Sequence, residues 1–165
     1  MENEKNLKAL LITNIPESRS EDTTKVVLTL AKHLDAELQA SDIESVFRIK
    51  NDSNPKPPLI MVKLNKASAR DSLYNARKNF TKKGVNTNTL GFRSTQKIFI
   101  NEVLSKTQQK LFYHARKKKE QLKWRYVWTY HGQVFMRKVH DSDAVKITTE
   151  GCLGKISATT QAHDG

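Results

Sequence analysis

The chain has 165 residues, 37% of them hydrophobic, with 29 Lys and Arg against 17 Asp and Glu for a formal charge of +12, which fits one or two domains and no longer series. The opening MENEKNLKALLITNIPES has too short an apolar run for a signal segment or a membrane span, so an intracellular protein, cytoplasmic or nuclear and without a membrane partner, is expected. A single cysteine, Cys152, excludes a disulfide framework and a thiolate zinc cluster.

Leu10 to Ile15 reads as a buried strand ended by Pro16, which cannot donate to a sheet ladder. Ser20 is placed to cap the following helix, whose Val27, Leu30, Ala31 and Leu34 recur at i, i+3, i+4 and i+7. Ile43 to Arg48 alternates as a half-buried strand, and the loop NDSNPKPP separates it from an apolar strand, Leu59 to Leu64, with which it can pair antiparallel. From Lys66 to Lys78 the period is helical again, Ala69, Leu73 and Ala76 inward and Arg70, Tyr74 and Arg77 along another face. A polar loop with Gly84 and Gly91 then leads to a short strand, Lys97 to Ile100. The order predicts an α+β protein whose residues 7–102 form a ferredoxin-like, split βαβ domain, the layout of RNA-recognition domains in a non-classical form.

Residues 103–150 read as a second, smaller domain. Ser105 and Gln108 match a capping box at the start of a basic helix running to about Leu122. WRYVWTYHGQVFMRK follows as a β-hairpin turning at His131-Gly132, so Tyr130 faces Gln133, Trp128 faces Phe135 and Tyr126 faces Arg137. Trp124, Tyr126, Trp128, Tyr130, Phe135 and Arg137 then share one face, and Val127, Thr129, Val134 and Met136 the other. If the helix covers the aliphatic face, the aromatic face is a stacking platform; if it covers the aromatic face, the rings are core. Trp124 and Tyr130 are expected to be its most open rings. Residues 151–165 have the composition of a disordered tail.

Charge is strongly segregated along the chain. Between Lys66 and Lys138 stand 18 Lys and Arg against three acids, while the remainder holds 11 basic and 14 acidic residues. Such a stretch repels itself, and the partner that best compensates it repeats negative charge at short intervals, as nucleic acid does. Both Trp and the four Tyr lie in the same stretch, beside the cations. The first-strand signature of RNA-recognition domains has its shape in LLITNI, but Leu11 stands at the usual aromatic position, and Leu59 and Met61 replace the stacking aromatics of the third strand. Contacts are therefore expected from Arg48, Lys63, Arg70, Arg77, Lys82, Lys83 and Arg93 in the first domain, and in the second from Arg116, Lys117 and Lys119 on the helix and Tyr126, Trp128, Arg137 and Lys138 in the hairpin.

Catalysis has little support in the sequence. The His residues at 33, 114, 131, 140 and 163 lack metal-ligand spacing, carboxylates are scarce in the basic half, and no Gly-rich loop is present to cradle phosphate. No enzyme, cofactor or metal is expected.

VFRIK with the Pro-rich loop and PPLIMVKL, then ARKN, KIFINEVLSKTQQKLFYHARK and WRYVWTYHGQVFMRK, together resemble the baculovirus few-polyhedra (FP) protein C-terminal domain family, over about Leu7 to Ile147. Similar domains occur in insect non-LTR retrotransposon proteins and in the first-open-reading-frame RNA chaperone of LINE-type elements. The resemblance implies single-stranded nucleic acid held in a basic cleft between the two domains, with Arg48, Lys63 and Arg77 at basic positions facing it and Tyr126, Trp128 and Arg137 at family positions of the hairpin. His131 stands where the family commonly has Asn. The LINE-type proteins carry a long coiled coil ahead of these domains, and only about seven residues precede the first strand here, so a monomer is expected. Two functions stay open: sequence-tolerant binding of single-stranded RNA or DNA by a protein of mobile-element or viral origin, and an assembly module whose basic surface holds an acidic protein.

Overall fold

The computed structural model describes residues 6–50 and 56–156, which divide into two compact units, one ending at Val103 and the other beginning at Leu104. The fold is α+β. In the first unit, β1 (Ala9–Thr13), α1 (Thr23–His33), β2 (Ile43–Ile49), β3 (Leu59–Leu64), α2 (Ala67–Asn75) and β4 (Phe99–Glu102) follow in the expected order, and α2 continues through short helical turns to Lys82. The strands form one antiparallel sheet in the order β2-β3-β1-β4, the ferredoxin-like arrangement.

Alternation in the strands decides what each face carries. Leu10, Ile12, Ile60, Val62, Leu64 and Ile100 point to one side and are buried with Val27, Leu30 and Ala31 of α1 and Ala69 and Leu73 of α2. Leu11, Met61 and Phe47 lie side by side in the register of the opposite face, with Asn101 next to Leu11. The cap of α1 is two residues later than the sequence reading placed it: Asp22, not Ser20, accepts from the Lys25 N–H at 3.1 Å. The loop before β4 is pinned from within by buried Thr87, whose hydroxyl accepts from Gln96 N (2.8 Å) and donates to Ser94 O (2.6 Å). Residues 51–55 of the Pro-rich loop lie outside the described residues.

The second unit is a helix laid on a three-stranded sheet. Helix α3 (Lys106–Leu122) begins with the capping box the sequence spells, Ser105 Oγ accepting from Gln108 N (3.1 Å) and Gln108 Oε1 from Ser105 N (2.8 Å). Strands β5 (Tyr126–Tyr130) and β6 (Gln133–Arg137) pair in the expected register around His131 and Gly132, both at positive φ (50° and 77°) as a two-residue hairpin turn requires. Two elements were not expected. A third strand, β7 (Val145–Ile147), pairs antiparallel with β6, and residues read as the start of a tail instead form α4 (Glu150–Lys155), with Leu153 and Ile156 in the core. The disordered tail is thus corrected for Gly151 to Ile156; residues 157–165 lie outside the described residues.

Candidate functional site

The helix covers the aliphatic side of the second sheet. Val134, Met136 and Ile147 are buried with Ala115 of α3, and Thr129 is buried beside them, so the face that remains open carries the rings. Trp128 and Phe135, opposite each other in the register, stack with centroids 5.7 Å apart and planes at 16°. The Arg137 guanidinium lies over Trp128 at 5.4 Å from its centroid, and its Nη1 donates to His140 O at 3.3 Å. Tyr126 and Tyr130 are exposed at the flanks, Tyr130 at 49%, with its ring stacked on His131 at 4.2 Å. Lys146 completes the face: β7 sets it opposite Phe135, and it is exposed.

Trp124 is a correction. Expected among the open rings, it is 3% exposed and sits in the core, because Lys123 adopts a left-handed conformation (φ 57°) at the end of α3 and turns the next residue back under the sheet.

The remaining cations divide by orientation. On α3, the Arg116 guanidinium lies 4.8 Å from the Phe112 centroid and the Lys117 Nζ 4.8 Å from the Tyr113 centroid, both cations exposed. The Tyr113 hydroxyl beside Lys117 raises the ammonium above its ordinary pKa. Lys119 and Lys138 are half-buried. In the first unit Lys63, Lys82 and Arg93 are exposed, Lys63 lying 5.6 Å from the Phe47 ring, and Lys83 is paired with Asp35.

Arg48 and Arg70 do not belong to this outward set. All five N–H groups of Arg48 are used within the protein: Nε and Nη2 clamp the Glu21 carboxylate at 2.8 Å each, Nη1 donates to Ile15 O and Pro58 O at 2.7 Å each, and Nη2 also to Pro16 O at 2.9 Å. The same bond holds the Glu21 carboxyl below the usual carboxylate range. Arg70, 1% exposed, pairs with buried Glu102 at the end of β4 and with Asp71 at 3.0 Å, its guanidinium 4.8 Å from the Tyr74 centroid. Arg77 lies on that same ring at 3.8 Å and donates to Tyr74 O, which leaves it half-buried. Arg48 and Arg70 are struts of the first unit, their side chains buried and turned inward rather than to the surface where they were expected.

Three outward side chains escaped the sequence reading. Phe47 on β2 and Phe99 on β4 stand on the open face of the first sheet, 41% and 47% exposed, and the alternation of VFRI and IFIN would have pointed to them. Lys146 had no signal, since its strand is three residues long. Cys152 accompanies Thr148 and Thr149, whose hydroxyls lie 3.3 and 3.5 Å from Sγ and lower the thiol to about 6. Among the described residues no group of His, Cys, Asp and Glu could hold a metal ion, and no helix is long and apolar enough to cross a membrane.

Residues 105–157 match the family model of baculovirus FP protein domain 2, a span that takes in every element of the second unit from α3 to α4. No curated protein matches the chain. The resemblance seen in the sequence is carried by the second unit, and the first unit stands on its topology.

Proposed function

We propose that this protein binds single-stranded nucleic acid with little sequence preference, using the open sheet face of the second unit, and that it is of mobile-element or viral origin. The observation that carries this reading is the arrangement of Trp128, Phe135 and Arg137 with Lys146 at their side: a ring surface for bases next to two cations for phosphates. Every base has a π-face, so stacking of this kind is worth about 1 to 3 kcal/mol per base whatever the sequence. The charge segregation and the match to a viral protein domain support it. The protein acts by binding and not by catalysis.

Anisotropy of a labelled mixed-sequence 30-mer, as RNA and as DNA, over a series of salt concentrations tests the reading. For Z neutralised phosphates, log K falls with log salt at a slope of about −0.7Z on single strands. A folded protein that fails to bind at low salt, or binds with no salt dependence, overturns it. A second reading, a module that assembles on an acidic protein, draws support from exposed Phe47 and Phe99, apolar surface of a kind that protein partners cover. It requires a protein ligand that excess RNA does not displace.

A further inference from the structure

We propose that the second unit holds two nucleic-acid strands at once, one on the aromatic sheet face and one along the solvent side of α3. This inference rests on the single-strand reading above and adds a second surface and a stoichiometry to it.

The helical period separates the two surfaces. Ala115, fully buried, marks the line of α3 that meets the sheet, with Leu111 and Leu122 packed beside it. Lys106, Lys110, Tyr113 and Lys117 follow at i, i+4, i+7 and i+11, a single stripe on the opposite side of the helix, and all four are exposed. A helix with its side chains is about 10 to 12 Å across, and the sheet adds its own thickness, so the nucleotides that lie on the rings of the sheet are not the ones that can lie on the stripe.

The stripe repeats the chemistry of the sheet face. Tyr113 is 46% exposed, and Lys117 caps it as Arg137 caps Trp128. At 1.5 Å per residue the three lysines extend over about 16 Å of helix, a length that follows a phosphate backbone. Two carboxylates border it. Glu120 lies one turn from Lys117, and Glu150 of α4 approaches Lys110 at 4.0 Å and His114 at 3.2 Å. Glu150 and Lys110 are both well exposed, and an ion pair so solvated gives way readily to a phosphate. Holding two strands on one body raises the concentration of each at the other.

The test uses the full chain with two non-complementary 20-mers, one carrying a donor dye and the other an acceptor. Energy transfer is expected with the wild type, in complexes that contain one protein copy by mass photometry. Lys106→Glu with Lys110→Glu is expected to abolish transfer while anisotropy still reports binding of one 20-mer within about tenfold of wild type, and circular dichroism reports an intact fold. Trp128→Ala is expected to abolish transfer from the other side. Salt-dependent binding of one 20-mer without transfer overturns the two-strand inference and leaves the single-strand reading standing. Transfer that survives the double lysine change, or that requires two protein copies, overturns it equally. Absence of any binding overturns the single-strand reading itself, and this inference with it.

Discussion

In the first unit Arg48 and Arg70 turn inward, one saturated by a carboxylate and three carbonyls, the other closed over Glu102 and Tyr74, whereas in the second unit Arg137, Arg116 and Lys117 lie on ring faces at the surface. A guanidinium that already has its five hydrogen bonds gains nothing from a phosphate. Arg116 and Lys117 rest on rings with their charged groups exposed, and Arg137 on Trp128 spends one N–H on the His140 carbonyl, so this set is held at the surface with fewer internal partners than Arg48 has. Net charge therefore overstates what the first unit offers a ligand and describes the second unit more faithfully. The open sheet faces differ in the same sense: rings sit on the outer strands of the first sheet, at Phe47 and Phe99, and on the two paired strands of the hairpin in the second.

The largest effect expected from this contrast is on stability. Arg70→Met leaves Glu102 buried without its cation, and breaking such a pair costs about 3 to 5 kcal/mol, read from urea denaturation. Adding Glu102→Leu should restore most of the loss. A stable Arg70→Met that binds RNA poorly would break the contrast, because Arg70 would then be a ligand residue. Arg48→Ala should cost about 2 to 4 kcal/mol by leaving Glu21 and the Ile15, Pro16 and Pro58 carbonyls without their donor. It also carries a pH signature. Arg48 depresses the Glu21 carboxyl, so this part of the stability is fully present above the usual carboxylate range and is withdrawn as pH falls through the lowered value. The variant should lose that acid-dependent portion, and a denaturation series across the acid range would detect whether it does.

Smaller effects sharpen the other side. Gly132→Ala places a Cβ 2.5 Å from Gln108 Nε2 at a φ of 77°, and about 1 to 3 kcal/mol of destabilisation is expected. Trp128→Ala should weaken binding by about 1 to 3 kcal/mol with the salt slope unchanged, at a modest cost in melting temperature, since the half-buried ring packs on Phe135 and under Arg137 on the open face. If that variant unfolds the second unit, the face is core and the contrast fails there. Lys146→Gln is the mildest, a reduction of the salt slope by about 0.7 with uniform loss across sequences.

Local periodicity made much of the architecture legible. The strand and helix order, the Ser105–Gln108 capping box and the register around His131-Gly132 depend on residues close in the chain, and all are present in the structure. What escaped the sequence depends on distance or on brevity. The partners that draw Arg48 and Arg70 inward, Glu21 and Glu102, are 27 and 32 positions away, so both arginines read as surface charge. Trp124 extends the alternation of β5 by pattern, but the left-handed Lys123 between helix and strand removes it from that face. Strand β7 has three residues and α4 six, with glycines at 151 and 154, too little for a period to register. Of the site, the rings and Arg137 were readable from the hairpin register, whereas Lys146 was not, because no short-range pattern joins it to Phe135.

Gln108 serves both ends of the second unit's architecture. Its side chain closes the cap of α3, and its amide also lies against the turn glycine of the hairpin, so close that an added Cβ there would have to displace it. Opening of the turn thus withdraws a support from the helix start, and fraying of the helix start releases the turn. Amide hydrogens of the first turn of α3 and of the β5–β6 strand ends should accordingly exchange through one shared opening, so that the helix and the sheet beneath the rings breathe together rather than apart.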